Sequence, residues 1–184
     1  VTRIYQFLVS AARGFGQGFQ PVCGFNYGAK YYDRVLKAFW FCVKEIAILF
    51  TLLGMAGFIL APQIIKLFRK EDLELITIGA RALQFQCLAI PLSAGIITSN
   101  MFLQNIGRGT RAALVSISRQ GLFFFPTILL LRKQFGLVGI QMSQPFADLF
   151  TFIFATIMTI SILKEIKSKQ FKKDNQLPQI EILD

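Results

Sequence analysis

Residues 82–107 read ALQFQCLAIPLSAGIITSNMFLQNIG and contain no charged residue. A helix that crosses a bilayer needs about 20 mostly apolar residues, so this stretch is long enough to span a membrane. Residues 46–65, IAILFTLLGMAGFILAPQII, form a second uncharged run. Residues 134–163 form a third, in which Asp148 is the only charged residue. These three runs predict transmembrane helices.

The composition of the whole chain supports the same class of protein. Of its 184 residues, 54% are hydrophobic and 16% are charged, with a mean hydropathy of +0.54. Soluble domains carry about a quarter charged residues, so this chain has too few to cover a water-facing surface. The apolar content excludes a disordered chain, and three cysteines are too few for a disulfide scaffold. A polytopic membrane protein, or a piece of one, remains.

Two further runs are weaker candidates for transmembrane helices. Residues 4–29 and 112–131 are each interrupted by one arginine, Arg13 and Arg119 respectively. Helices that face a bundle interior tolerate such groups better than helices that face lipid. We therefore predict an all-α transmembrane helix bundle of about five spans within residues 1–163. The polar residues 164–184 are predicted to form a separate cytoplasmic tail.

Lysine and arginine are distributed unevenly among the predicted loops. If successive spans alternate sides, one side receives the basic residues of 30–37, of 108–111 and of 164–173 together. The other side receives fewer basic residues, and nearby acidic residues partly offset their charge. Because cytoplasmic loops are enriched in lysine and arginine, the first side is predicted to be cytoplasmic, with the C-terminus on it. We expect a protein integral to the bilayer, with no signal peptide at Val1 and no affinity for nucleic acid.

The chain has no histidine, and Cys23, Cys42 and Cys87 are far apart in sequence. This excludes histidine-based acid–base catalysis and most transition-metal sites. No nucleotide-binding loop is present, since Phe19 occupies the position of the third glycine in G-x-G-x-x-G. We expect no catalytic residue, no metal site and no cofactor.

Four ionisable residues lie within or at the ends of predicted spans: Asp148, Arg119, Glu45 and Arg13. A bare carboxylate inside a bilayer costs a few kcal/mol, so Asp148 must have a partner, take up a proton or meet water. Arg119 is its natural partner by composition. Both a structural pair and a role in ion coupling are open hypotheses, and Glu45 is a weaker candidate for ion handling. Arg13 has no obvious partner in this sequence.

The first run also carries small and polar residues in a regular pattern. Gly14 and Gly18 form a G-x-x-x-G pair, which predicts close approach of helix backbones in lipid. Pro21 predicts a bend in the same segment. The amide side chains nearby have two interpretations: they join helices, or they line a substrate path. These candidate cavity residues are Gln17, Gln20, Pro21 and Asn26.

Residues 14–30, GFGQGFQPVCGFNYGAK, closely resemble the G-x-G-Q-G-x-Q-P-x-x-G-x-N-Y-G-A-K segment of bacterial multidrug and toxic compound extrusion (MATE) transporters. This motif includes Tyr27. Residues 104–109 resemble the Q-x-x-G-x-G pattern of that family, beginning at Gln104. Residues 135–148 resemble its F-G-x-x-G segment that ends in P-x-x-D. Together these motifs extend over almost the whole chain apart from the tail.

The resemblance implies a fold of twelve helices in two six-helix lobes, of which these spans look like helices eight to twelve. Residues 1–163 would then form part of the C-terminal lobe, and the N-terminal lobe would be a missing partner. Members of the family export cationic amphipathic compounds in exchange for Na⁺ or H⁺ by alternating access, here across a bacterial cytoplasmic membrane. Residues 82–107, the equivalent of helix ten, contain no acid. The resemblance therefore implies an ion site mainly in the other lobe.

Three rival functions stay open on the sequence. A flippase for lipid-linked precursors, from the same superfamily, would need a strongly cationic cavity, and only Arg13 and Arg119 are available. A membrane-embedded transferase would need clustered acids to hold Mg²⁺, whereas Asp148 stands alone in its span. A non-transporting fragment or partner subunit is the third alternative, because half of a transporter cannot alternate access.

Overall fold

The computed structural model describes residues 2–68 and 73–176, and every regular element in those ranges is helical. The helices, in chain order, are α1 Thr2–Gly28, α2 Tyr32–Phe68, α3 Leu73–Asn105, α4 Gly109–Ile117 and α5 Phe124–Gln176. A five-residue π-helical turn, Ser118–Leu122, joins α4 to α5. The predicted all-α fold class is confirmed.

The helix α5 folds back on itself at Gly136. This residue has φ 56° and ψ −126°, a conformation that glycine adopts more readily than residues with a Cβ. On its two sides the chain runs antiparallel, since Arg119 bonds to Asp148 and the Leu131 carbonyl lies against Gly139. The residues before and after Gly136 therefore form a helical hairpin.

Three ranges in the described part of the chain are long and apolar enough to cross a membrane: Tyr32–Leu67, Ile76–Asn105 and Gly109–Lys172. The last of these ranges contains the hairpin, so it holds both of the spans predicted at 112–131 and 134–163. The residues of the span predicted at the N-terminus form α1, which is not among these three ranges, so that span stays a prediction. The structure is thus a bundle of transmembrane-type helices, as the sequence predicts.

The helix α3 occupies the centre of this bundle. In the most apolar stretch of α3, 61% of the residues are buried. The buried share of the corresponding stretch is 22% in α2 and 33% in the range that contains α5. Phe102 of α3 is fully buried, and its ring centroid lies 4.7 Å from that of Phe39 on α2. Ile90 of α3 and Phe50 of α2 are also fully buried. A helix that is apolar around its whole circumference is expected to lie inside a bundle.

The outer faces of α2 and α5 carry large apolar side chains that no described residue covers. On α2 they include Trp40, Leu52 and Ile59, and on α5 they include Leu130 and Ile157. In water such a surface would promote aggregation, whereas in hydrocarbon it is the favoured surface. These faces are therefore suited to contact with lipid.

The basic loops that the sequence places on one side of the membrane lie at one end of the bundle. A Cβ on Gly24, near the end of α1, would lie 3.9 Å from the Asn105 carbonyl oxygen at the end of α3. The Arg108 guanidinium, just after α3, lies 3.0 Å from the Glu165 carboxylate on α5. The α1–α2 turn, the α3–α4 turn and the late part of α5 therefore share one end, as the predicted alternation of spans requires.

The close helix packing predicted at the Gly14–Gly18 pair is not seen among the described residues. A Cβ at Gly14 or Gly18 would have no other described atom within 4 Å. Close approach instead occurs at Gly16, where a Cβ would overlap the Met101 sulfur of α3, and at Gly54, where it would lie 3.0 Å from the Cys87 carbonyl oxygen. The glycines that permit packing in this chain belong to a different helix face from the one the motif marks.

The predicted boundary between bundle and tail at residue 163 falls inside a continuous helix. The helix α5 extends through Gln176, and Ile166 is buried with the core side chains Ile162 and Leu163. At least one turn beyond the boundary therefore packs with the bundle. The end of the predicted tail, residues 177–184, lies outside the described residues.

Candidate functional site

A buried ion pair joins the two arms of the helical hairpin. The Arg119 Nε donates to Asp148 Oδ1 at 2.9 Å, and Arg119 Nη2 donates to Asp148 Oδ2 at 3.3 Å. The Asp148 side chain is fully buried and that of Arg119 is 15% exposed. Two parallel N–H···O bonds of this kind fix the relative orientation of the partners as well as their separation. The structure therefore brings together the two charges that the sequence identified as candidate partners.

Two neutral side chains extend this pair. Arg119 Nη2 also donates to the Ser93 hydroxyl of α3 at 3.0 Å, and Gln144 Nε2 donates to Asp148 Oδ1 at 3.2 Å. Gln144 and Asp148 are four residues apart on α5 and so lie on one face of that helix. Burying two charges is costly unless hydrogen bonds satisfy their remaining atoms. The network meets part of that requirement and connects α3 to both arms of the hairpin.

The π-helical turn determines where Arg119 points. It closes with a bond from the Phe123 amide to the Ser118 carbonyl at 3.0 Å. The cause lies four residues after Leu122: Pro126 has no amide hydrogen for the Leu122 carbonyl, and its ring crowds that carbonyl. A wider turn relieves the conflict and inserts one extra residue into the helix. The insertion changes the face on which Arg119 lies relative to the residues of α5.

Next to this ion pair the bundle contains a cavity of about 460 Å³. Its described lining is mixed. The apolar part consists of Ile96, Ile97, Met101 and Val115. The polar part comes from α1, α3, α4 and the π-helical turn and consists of Gln17, Gln20, Asn100, Gln104, Ser116, Arg119 and Gln120. A cavity that combines apolar side chains with hydrogen-bonding groups can accept small amphipathic ligands.

Hydrogen bonds hold part of the polar wall in place. Asn100 Nδ2 donates to the Ala112 carbonyl and to the Ser116 hydroxyl, both at 2.8 Å. Gln104 Nε2 donates to Asn100 Oδ1 at 2.5 Å. The amide of Asn100 therefore links α3 to α4 and orients Gln104. Asn100 and Gln104 therefore line the cavity, and Asn100 also joins two helices.

The predicted cavity residues divide into two groups. Gln17, Gln20 and Gln104 line the cavity. Pro21, Asn26 and Tyr27 are not among its lining residues. Asn26 Nδ2 donates to the Val22 carbonyl one turn earlier in α1, and the Tyr27 ring packs edge-on against Tyr32 with centroids 5.9 Å apart. These last contacts stabilise the end of α1 and the turn into α2.

Of the two remaining predicted charges, Glu45 does not join this site. Glu45 is half-buried on α2, does not line the cavity and takes part in no ion pair between described side chains. The side chain of Arg13 lies outside the described residues. The hypotheses about ion handling at Glu45 and about a partner for Arg13 stay predictions.

The sequence analysis missed five polar residues of this site: Ser93, Asn100, Ser116, Gln120 and Gln144. Each is an uncharged polar residue within a predicted span. A weak signal was available, since Asn100 is four residues before Gln104 and Gln144 is four residues before Asp148. Such spacing places two polar groups on one helix face and marks that face as the interior one.

Comparison with known proteins gives the family and the fold. A family model described as MatE matches residues 1–130. Among solved structures, an inward-facing multidrug resistance MATE family transporter of the MOP superfamily superposes with a TM-score of 0.85 and 16% identity, covering 90% of this chain and 39% of its own. The MATE transporter VcmN of Vibrio cholerae in the bent form superposes with a TM-score of 0.84 and 15% identity, covering 91% of this chain and 38% of its own.

A third solved structure represents a different state. An outward-facing multidrug resistance MATE family transporter superposes with a TM-score of 0.84 and 17% identity, covering 90% of this chain and 38% of its own. This chain thus spans less than two fifths of the length of the solved transporters it matches. No curated protein sequence matches it.

Proposed function

Since this chain belongs to the MatE family of transporters, we propose that it forms the larger part of one lobe of a secondary exporter. In this proposal the intact transporter, meaning this chain together with the remaining helices of a twelve-helix fold, exports amphipathic organic compounds, cationic ones included. It does so in exchange for Na⁺ or H⁺ across a bacterial cytoplasmic membrane. The observation that supports this most strongly is the cavity of about 460 Å³ between α1, α3, α4 and the π-helical turn, which is lined by both apolar side chains and amides.

The similarity to transporters in different states supports a mechanism of moving lobes. The fold of this chain superposes equally well on an inward-facing and on an outward-facing transporter, with TM-scores of 0.85 and 0.84. A lobe with one internal structure in both states is expected to move as a rigid body. Alternating access by rocking of two such lobes around a central site is typical of secondary transporters. We infer that this lobe rocks as one unit.

The buried ion pair is best interpreted as structural. The Asp148 carboxylate has its charge balanced by Arg119 and receives further support from Gln144. A coupling ion site in this lobe would need the carboxylate to exchange this arginine for the ion in each cycle. We propose that the pair holds the hairpin against α3 and that the coupling ion binds elsewhere in the intact transporter.

The same geometry disfavours the flippase alternative. Arg119 is the only charged residue among the described residues that line the cavity. Its guanidinium already bonds to Asp148. A lipid-linked pyrophosphate carries several negative charges, and one neutralised arginine would leave most of them without a partner in a site of low dielectric constant. Amphipathic compounds of low charge suit this cavity better.

Export is testable in cells that lack their own drug exporters. The intact transporter is expected to lower the accumulation of ethidium, measured by fluorescence, and to raise the ethidium concentration that stops growth. Residues 1–184 expressed alone are expected to do neither, because alternating access needs a second lobe. Clear ethidium efflux by residues 1–184 alone would contradict the proposal that they act as part of a lobe.

The membrane orientation gives a separate prediction. In a variant without native cysteines, single cysteines at Asp33, Arg111 and Lys169 are expected to resist an impermeant thiol reagent added outside intact cells. A cysteine at Lys133, exposed near the hairpin turn, is expected to react. The reason is the excess of lysine and arginine at the end of the bundle that contains the first three positions. Labelling of position 169 from outside would reverse the proposed orientation.

A further inference from the structure

The outer face of α5 changes from apolar to basic near the end of the bundle that we propose to be cytoplasmic. Ile153, Ile157 and Ile160 are between 43% and 62% exposed on this face. Lys164 and Lys167 follow them and are also exposed. The five residues are spaced alternately by four and three positions, which places all of them on one side of the helix. A surface suited to lipid therefore leads directly to two lysines.

The two lysines lie at the depth of the lipid headgroups. A helix rises 1.5 Å per residue, so Lys164 and Lys167 are about 6 Å and 11 Å beyond Ile160 along the helix axis. The headgroup layer on each side of a bilayer is about 5–8 Å thick. Helical side chains point toward the N-terminus, which here is the direction of the bilayer, and a lysine can extend its ammonium group to the interface. With Ile160 at the edge of the hydrocarbon, both ammonium groups reach the headgroup layer.

The charges of these lysines are not balanced within the described part of the bundle. Several other basic residues at the same end have acidic partners: Lys37 pairs with Asp33 at 2.7 Å, and Glu165 accepts from both Arg108 and Lys169 at 3.0 Å and 2.8 Å. No described acidic side chain forms an ion pair with either lysine of the outer face. The positions three and four residues before and after each of them also hold no acid. Their counter-charge must come from outside this part of the chain.

We propose that Lys164 and Lys167 bind the headgroup of an anionic phospholipid whose acyl chains lie along the three exposed isoleucines of α5. The lipid phosphate supplies the negative charge that the described bundle does not provide at this point, and the isoleucines supply the apolar contact. A zwitterionic phospholipid carries a positive group beside its phosphate and so gains less from two lysines. This inference concerns the membrane around the transporter and does not depend on the compound that is exported.

A fluorescence assay can report which lipid lies beside this site. Ile160→Trp places a reporter next to Lys164 in an intact transporter whose native tryptophans, Trp40 included, are replaced by phenylalanine. Bromine atoms on acyl chains quench tryptophan on contact, so liposomes that mix phosphatidylcholine with brominated phosphatidylglycerol give the relative affinity of the two lipids. Each lysine near an anionic surface favours anionic lipid about five- to sixfold, so we expect a preference for phosphatidylglycerol of about thirtyfold. High salt is expected to weaken this preference.

Two double variants locate the effect on one face of the helix. Lys164→Gln combined with Lys167→Gln is expected to abolish most of the preference, and replacement of both by arginine is expected to retain it, because the charges remain. Lys169→Gln combined with Lys172→Gln is the matched control, since it also removes two charges from α5. Lys169 already pairs with Glu165, and Lys172 lies about 12 Å beyond Lys164 along the helix, so this variant is expected to keep most of the preference.

Three results would overturn the lipid site. The first is the absence of a preference for phosphatidylglycerol, or a preference that survives the loss of both Lys164 and Lys167. The second is an equal loss in the two double variants, which would show a response to net charge alone. The third is loss of the preference in millimolar inorganic phosphate at constant ionic strength, which would indicate a site for a free anion. Because the assay involves no transport, each of these results leaves the proposed export function to be decided by its own test.

Discussion

Replacing Asp148 by asparagine is expected to lower the amount of intact transporter in the membrane several-fold. The change leaves the Arg119 guanidinium, which is mostly buried, without its counter-charge. Removing one partner of a buried ion pair typically costs about 3–5 kcal/mol. That loss is a large fraction of the net stability of most proteins. Immunodetection of the transporter in isolated membranes, together with its melting temperature in detergent, measures the effect.

Two further variants show whether the loss comes from the pair. Asp148→Asn combined with Arg119→Gln removes both charges and is expected to recover much of the abundance, because no buried charge is then left alone. Asp33→Asn is the matched control: Asp33 pairs with Lys37 at 2.7 Å, but both side chains are more than half exposed. Exposed pairs contribute about 0–1 kcal/mol, so this variant is expected to keep wild-type abundance.

The same variants separate the structural role from ion coupling. A coupling role for Asp148 predicts that Asp148→Asn keeps normal abundance and drug binding, but loses gradient-driven efflux, and that the double variant does not recover it. Wild-type abundance, binding and efflux in Asp148→Asn would contradict both roles.

Gly139→Ala is expected to destabilise the hairpin strongly. A Cβ at this position would overlap the Leu131 carbonyl, and the next contact is the Arg132 amide nitrogen at 3.1 Å. These are backbone atoms, so they cannot move aside as the end of a flexible side chain can. Forcing an extra carbon into packed structure typically costs about 1–3 kcal/mol and sometimes more, and a backbone clash belongs at the upper end.

The melting temperature of the purified intact transporter measures this cost. Gly109→Ala serves as the control, because a Cβ at Gly109 would have no described atom within 4 Å. We expect Gly139→Ala to lower the melting temperature and the membrane abundance, and Gly109→Ala to change neither. An unchanged melting temperature for Gly139→Ala would show that the two arms of the hairpin lie further apart at this point than the structure indicates.

The helices were predictable because the bilayer imposes a simple rule on the sequence. An uncharged run such as residues 82–107 must form its hydrogen bonds internally, and a helix does so with any apolar sequence. The partnership of Arg119 and Asp148 was predictable for a related reason, since each is the only charge in its run. Whether that pair also handles an ion was not predictable, and it stays a question for the variants above.

The features of the site that could not be predicted from the sequence depend on how the helices are positioned relative to one another. The π-helical turn arises from the effect of Pro126 on the Leu122 carbonyl, and a proline alone predicts a kink as readily as an inserted residue. Asn100 joins two helices because α4 presents the Ala112 carbonyl and the Ser116 hydroxyl to it. The G-x-x-x-G pair misled because such a motif marks a face that permits close packing but does not say which helix packs there.

We propose that the intact transporter that contains this chain is an exporter driven by an ion gradient. The most direct measurement uses the purified intact transporter in liposomes loaded with buffer of chosen pH and sodium concentration. An imposed proton or sodium gradient is expected to drive ethidium across the bilayer against its own gradient, and collapse of the ion gradient by an ionophore is expected to stop it. Ethidium movement that depends on neither gradient would contradict this proposal. So would a lack of ethidium movement while the transporter remains folded and binds the dye.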